Sequence, residues 1–262
     1  MLGCPEMGAR RLCVAEPILE LHNLVKRYGA VAASDGIDLA VEAGVVHALI
    51  GPNGAGKTTA IAEIAGQLRP DGGRICFRGR DITRWPVHRR AAAGLQRSYQ
   101  ITSVFSDFNV LDNVTLAVQA RAGHAFRFWP SARRQERLQG PARAALERVG
   151  LADRADVAVS DLAHGEQRQL ELAMVLATEP VLLLLDEPTA GMAQAESRRM
   201  MEILKLLKGS LTVILVEHDM DVVFALADVV TVLVNGRVLA TASPAAIRSN
   251  PEVRRAYLGG HP

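Results

Sequence analysis

The chain has 262 residues, of which 49% are apolar and 22% are charged, and this composition excludes an intrinsically disordered protein. Its 30 basic and 28 acidic residues leave a formal net charge of +2, which argues against a dedicated nucleic-acid binder, because such domains are strongly basic. Three scattered cysteines indicate reduced thiols rather than a disulfide scaffold. No apolar run is long enough for a signal peptide or a membrane span, so we expect a soluble, cytosolic chain.

The first residues, 1–16, are rich in Gly, Pro and Arg without periodicity, and they predict a mobile tail ahead of one domain at 17–262. The pattern then becomes strand-like, and a helix is predicted to begin near Thr58 and to end before Pro70. Strands are predicted at 18–21, 37–41, 45–50 and 74–77.

The middle of the chain predicts a helical insertion at about 94–160. Within it, 111–121 and 131–149 look helical. Beyond it, helices are predicted at 166–177 and 196–208, strands at 181–185 and 211–216, a hairpin at Asn235-Gly236, and short helices after Pro244 and Pro251. Buried apolar strands that alternate with helices predict an α/β fold with parallel pairing.

A glycine-rich segment after the predicted strand 45–50 fits the phosphate-loop pattern G-x-x-x-x-G-K-[ST] without a gap. Glycines permit the backbone to point successive N–H groups into one concavity that binds an anion. Lys57 adds a positive charge for the β- and γ-phosphates, and the Thr58 hydroxyl is a predicted Mg²⁺ ligand. The predicted nucleotide-binding residues of this loop are Gly51, Pro52, Asn53, Gly54, Ala55, Gly56, Lys57, Thr58 and Thr59.

Two acids follow the apolar run 181–185, where the second half of such a site belongs. Asp186 is predicted to bind Mg²⁺ directly or through water, since this ion prefers hard oxygen ligands and keeps several waters. Glu187 stands where a carboxylate polarises an attacking water, so it is the predicted catalytic residue. The plainer alternative is that both acids only solvate the end of the strand.

Together with the segments between them, these residues resemble the ATP-binding subunit of an ATP-binding cassette (ABC) transporter. Within that family the chain is most similar to the ATPases of branched-chain (hydrophobic) amino-acid importers, from about residue 18 to residue 259. The resemblance implies a P-loop ATPase core with a mostly parallel sheet, a small antiparallel β subdomain and an inserted helical subdomain. It implies ATP and Mg²⁺ as cofactors, and ATP hydrolysis that powers uptake of amino acids or, as the alternative, of urea or amides.

Further site positions follow from the resemblance, and for Gln100 from the resemblance alone. Tyr28 matches the aromatic residue that stacks on adenine, Gln100 matches the glutamine loop that reaches the metal and the water, and His218 matches the switch histidine at the γ-phosphate. The family's signature segment opens a helix and serves the ATP site of the opposite subunit. It is matched here by Ala163, His164, Gly165 and Glu166.

The sequence departs from the family pattern at two places. Ala163 stands where the family usually has serine, and Ala193 stands where most members carry aspartate. Loss of one hydrogen bond to a charged group costs about 1.5–3 kcal/mol. Because the Gly165 N–H and the helix end remain, we expect this contribution to be impaired rather than absent. Because both losses concern what the chain offers a partner, we hypothesise an asymmetric heterodimer. A homodimer, in which backbone contacts suffice, is the alternative.

The implied assembly contains a second ABC ATPase subunit, two membrane permease subunits and an extracytoplasmic solute-binding protein, without nucleic acid. It places the chain peripherally, on the cytoplasmic face of the inner (plasma) membrane. A soluble ABC ATPase that acts on nucleic acid or the ribosome is the alternative, although such relatives usually carry two cassettes. The arginine- and aromatic-rich segment 121–148 is interpreted as a solvated face with a partner contact, with RNA or lipid as the alternative.

Overall fold

The computed structural model describes residues 17–98, 104–121 and 132–258. The predicted tail 1–16, Gln100 and the stretch 122–131 inside the arginine- and aromatic-rich segment lie outside the described residues. In the described part, two sheets form the framework on which the helices pack.

The first sheet is antiparallel, with strand order β2-β1-β4-β5. Its strands are β1 Leu19–Tyr28, β2 Val31–Val41, β4 Gly72–Phe77 and β5 Arg80–Asp81. Strand β1 runs well beyond the predicted 18–21. The sequence hides this because Asn23 takes a φ of 47° and the register shifts between Leu21 and Leu24, which breaks the alternation of apolar and polar residues.

The second sheet has the order β10-β9-β3-β8-β7-β6 and is parallel except for its β9–β10 hairpin. Its strands are β3 Val46–Ile50, β6 Leu95–Arg97, β7 Leu182–Asp186, β8 Thr212–Val216, β9 Val229–Val234 and β10 Arg237–Ala242. The predicted hairpin turn is confirmed: Asn235 and Gly236 both have positive φ, which suits a tight turn between twisted strands. The mostly parallel α/β core is confirmed as well.

Helices cover the sheets and fill the connections between strands. They are α1 Lys57–Ala65, α2 Val87–Ala92, α3 Val110–Arg121, α4 Ala132–Val149, α5 His164–Ala177, α6 Gln194–Leu207, α7 Met220–Leu226, α8 Pro244–Ser249 and α9 Pro251–Leu258. Helices α2 and α7 are too short to show a helical period, and the sequence did not predict them. No helix in the described part of the chain is long and apolar enough to cross a membrane.

Two apolar clusters position the elements that matter for function. One lies between the two sheets and encloses α1, with Leu24 of β1, Ile61 and Ile64 of α1 and Leu184 of β7 in contact within it. The other joins α3, α4 and α5 to the parallel sheet. Strand β6 falls within the range 94–160 but pairs with β7 in the parallel sheet, so the helices of that range begin after Arg97.

Candidate nucleotide site

The predicted phosphate loop connects β3 to α1 at the carboxyl end of the buried strand. Gly54 and Gly56 have φ values of 78° and 101°, a conformation that L-residues with side chains rarely adopt. A Cβ at Gly56 would also collide with the carbonyl oxygen of Ala33. Helix α1 has no side-chain cap and no acid in its first turn, so its N-terminal N–H groups and positive end face the loop without a competing side chain.

The side chain of Lys57 points back toward the start of the phosphate loop. Its Nζ donates to the carbonyl oxygens of Gly51 at 2.7 Å and Pro52 at 3.1 Å. Burial lowers the pKa of Lys57, and the negative charges of Glu187 and Asp186 act in the opposite direction. Strands β3 and β7 both pair in parallel with β8, so the loop after β3 and the acids at the end of β7 lie at the same edge of the sheet.

Glu187 and His218, two of the three predicted catalytic residues, follow the carboxyl ends of two adjacent parallel strands. Asp186 ends β7 opposite Val216, the last residue of β8. Glu187 takes a φ of 49° and donates its backbone N–H to the carbonyl oxygen of Val216 at 2.8 Å, which fixes the turn after β7. His218 lies with Nδ1 3.6 Å from Oε1 of Glu187. The two side chains are 66% and 32% exposed, so this pair is open to solvent and to a ligand.

Sequence reasoning missed Arg97 as a functional residue. Its Nη2 lies 2.7 Å from Oδ2 of Asp186, and the two side chains are only 13% and 4% exposed. Arg97 also donates through Nη1 to Oε1 of Gln67, in the connection that follows α1. The sequence alone does not predict this ion pair, because Arg97 and Asp186 lie on different strands and come together only when β6 pairs with β7.

Sequence reasoning also missed Glu217, which is 1% exposed. It accepts hydrogen bonds from Oγ1 of Thr189 at 2.5 Å, from N of Thr189 at 3.3 Å and from N of His218 at 3.2 Å. It therefore ties the loop after Glu187 to the turn after β8, which carries His218. The sequence held no signal for this role, because Thr189 lies 28 residues away along the chain.

The remaining positions of the predicted site have simple surroundings. Tyr28 ends β1 with 49% of its surface exposed, and Nζ of Lys26 lies 5.8 Å from the centre of its ring. Thr58 is exposed and Thr59 is half-buried at the start of α1. Gln100 lies outside the described residues, so its predicted role stays a prediction.

The signature-like segment forms the start of α5, two residues earlier than the predicted helix. Ala163 occupies the N-cap position with φ −63° and ψ 157°, and its methyl group cannot accept a hydrogen bond. Its backbone N–H donates to Oε2 of Glu166 at 3.0 Å. The N–H of Gly165 donates to Oε1 of Glu196 in α6 at 3.2 Å. No hydrogen bond or ion pair between described residues joins this segment to the phosphate loop of the same chain.

The fold and the site define the class of protein: an α/β nucleotide-binding domain with a phosphate loop, a carboxylate pair at a strand end and a histidine at the next strand end. A family model described as "ABC transporter" matches residues 34–190. A second, described as "Branched-chain amino acid ATP-binding cassette transporter", matches residues 237–262. This chain belongs to the ATP-binding subunits of the ABC transporter family.

Individual relatives match over nearly their full length. The high-affinity branched-chain amino acid transport ATP-binding protein LivG of Escherichia coli (strain K12) is 36% identical, covering 94% of this chain and 99% of LivG. The corresponding protein BraF of Pseudomonas aeruginosa is 37% identical with the same coverage. A crystal structure of the ADP conformation of an ATP-binding cassette of an ABC transporter has a TM-score of 0.81 at 29% identity, covering 94% of this chain and 100% of that one.

Proposed function

We propose that this chain is the ATP-binding and ATP-hydrolysing subunit of an ABC importer that takes up branched-chain amino acids. The observation that carries the proposal is the similarity to LivG and BraF over 94% of the chain, together with the match of residues 237–262 to the branched-chain amino acid subfamily. As an ABC ATPase it binds nucleotide and couples hydrolysis to transport. The urea and amide alternative differs only in the solute.

The geometry supports a division of roles within one site. The N–H groups of the loop and the Lys57 ammonium bind phosphate oxygens, and Tyr28 offers an exposed ring to the adenine. Glu187 orients the attacking water, and His218, 3.6 Å away, holds the γ-phosphate side of the site. Phosphoryl transfer needs this positioning and charge stabilisation more than covalent chemistry.

The donor set fits Mg²⁺. Asp186 and Thr58 offer a carboxylate and a hydroxyl oxygen beside the loop, and Mg²⁺ prefers such hard ligands. The parallel pairing of both β3 and β7 with β8 supports this assignment, because it brings the end of β7 and the phosphate loop to the same edge of the sheet. When bound, the ion would neutralise charge on the β- and γ-phosphates. Thr58 and Asp186, with Gln100 as a third candidate, are therefore the proposed ligands.

A reconstitution experiment tests the solute. The chain is co-purified with candidate permease subunits, placed in proteoliposomes, and supplied with a solute-binding protein loaded with leucine, isoleucine or valine, or with urea or acetamide. We expect ATP hydrolysis to rise with the amino acids and a Glu187→Gln subunit to abolish the rise. Stimulation by urea or acetamide but not by leucine would overturn the amino-acid assignment while leaving the ATPase intact.

The proposed assembly also includes two permease subunits at the cytoplasmic face of the membrane and a second ATPase subunit. We favour a different chain as that second subunit, because Ala163 has no hydroxyl to offer a γ-phosphate across the interface. Light scattering of the Glu187→Gln chain with ATP and Mg²⁺ decides the point. A persistent monomer that binds ATP supports the heterodimer, and a shift to twice the mass contradicts it.

A further inference from the structure

Asp186 already has a positively charged partner beside the proposed metal site. Arg97 pairs with Asp186, and the charges of Asp186 and Glu187 both raise the pKa of Lys57 against the effect of burial. Lys57 is held by the carbonyl oxygens of its own loop, whereas Arg97 contacts the proposed metal ligand directly, with Nη2 2.7 Å from Oδ2 of Asp186. Arg97, rather than Lys57, is therefore the counter-ion of the Asp186 carboxylate.

The surroundings of Arg97 indicate that its ion pair with Asp186, rather than a full set of hydrogen bonds, fixes its side chain. Its Nε is buried and has no hydrogen-bond partner among the described residues. Gln67 accepts from one terminal nitrogen and Asp186 from the other. An arginine that served mainly as a hydrogen-bonding brace would have its donors satisfied, as Arg90 of α2 does with four carbonyl oxygens.

Electrostatics fixes the direction of its effect. A unit positive charge against Asp186 stabilises the carboxylate when no metal is present and repels a divalent cation that approaches the same carboxylate. The pair is almost buried, so solvent screens this repulsion little. We propose that Arg97 is a positioning residue that holds Asp186 in the metal-free subunit and sets a high Mg²⁺ requirement, which makes the ion bind together with nucleotide phosphates. This inference rests on the proposed role of Asp186.

Two matched variants separate charge from hydrogen bonding. Arg97→Gln removes the charge but keeps a donor for Asp186, while Arg97→Lys keeps the charge and loses the planar fork. In the purified full-length chain, binding of a fluorescent ADP derivative is measured over a Mg²⁺ titration and in EDTA. The quantity compared is the Mg²⁺ concentration at which half of the gain in affinity for the ADP derivative is reached. We expect this concentration to fall about tenfold in Arg97→Gln and to stay within about twofold of wild type in Arg97→Lys.

Other variants make the outcome decisive. Gln67→Leu removes the second partner and leaves the ion pair, so its Mg²⁺ requirement should match wild type. A purely structural role would lower the melting temperature of Arg97→Gln yet change ADP binding equally with and without Mg²⁺, and that result overturns the proposal. A raised Mg²⁺ requirement in Arg97→Gln overturns it too. If Asp186→Asn keeps the wild-type response to Mg²⁺, the metal role of Asp186 is wrong, and the inference fails with it.

Discussion

Thr189 offers the sharpest test of how the catalytic loops are held together. Its hydroxyl donates to Oε1 of Glu217 at 2.5 Å, and Glu217 is 1% exposed, so water cannot replace the donor when it is removed. A hydrogen bond to a carboxylate contributes about 1.5–3 kcal/mol to stability. Thr189→Val keeps the shape of the side chain and deletes only this donor, so we expect it to lower the free energy of unfolding by about 2 kcal/mol.

The assay is urea unfolding followed by the fluorescence of the two native tryptophans. A loss of about 2 kcal/mol in a chain of this size corresponds to a melting temperature lower by about 4–8 °C. Thr189→Ser is the matched control, because it keeps the hydroxyl and loses a methyl group, and it should lie within about 1 kcal/mol of wild type. Equal midpoints and slopes for the Val and Ser variants would refute the claim that Glu217 braces this loop.

Three further predictions concern helix caps, pH and a buried arginine. Ala163→Ser and Ala193→Ser each supply a missing N-cap acceptor and should stabilise the chain by about 1 kcal/mol, measured by thermal unfolding. Burial lowers the pKa of His47 to about 4. As the pH falls below 6.5, His47 is therefore protonated in the unfolded chain but not in the folded chain, and about 2 kcal/mol of stability should be lost between pH 6.5 and 5. The His47→Gln variant should lose this part of the pH dependence. Arg90→Met leaves four carbonyl oxygens without their donor and should cost at least about 3 kcal/mol in urea unfolding, with little rescue by Arg90→Lys.

The sequence predicts those features that depend on neighbours along the chain. The phosphate loop, the Asn235-Gly236 hairpin and the alternation of strands with helices are local patterns, and the structure confirms the fold that they indicate. Helix α7 shows the limit of this reasoning. Asp219 caps it by accepting from N of Asp221 at 2.9 Å, so a start signal was present, but seven residues are too few to display a helical period.

Features that depend on distant pairing were not predictable. Arg97 and Asp186 are brought together by the pairing of β6 with β7, and Thr189 meets Glu217 because the turns after β7 and β8 are neighbours. Single residues carry these contacts, and a single charged residue in a sequence indicates only a solvated position until its partner is known. The residues that hold the site together are therefore less visible in the sequence than the residues that the family motifs name.

The start of α5 shows why the motif departures cannot be judged from residue identity. A serine at position 163 would have two competing uses: its oxygen could cap the helix by accepting from N of Glu166, or its hydroxyl could donate to a phosphate of the opposite subunit. Ala163 removes both uses at once, and the Gly165 N–H is already donated to Glu196. Stability and catalysis should thus respond separately to Ala163→Ser. Thermal unfolding reports the cap in the isolated chain, and ATP hydrolysis in the reconstituted transporter reports the phosphate contact. A variant that is more stable without being faster would mean that the hydroxyl caps the helix, and that backbone groups alone serve the partner's ATP.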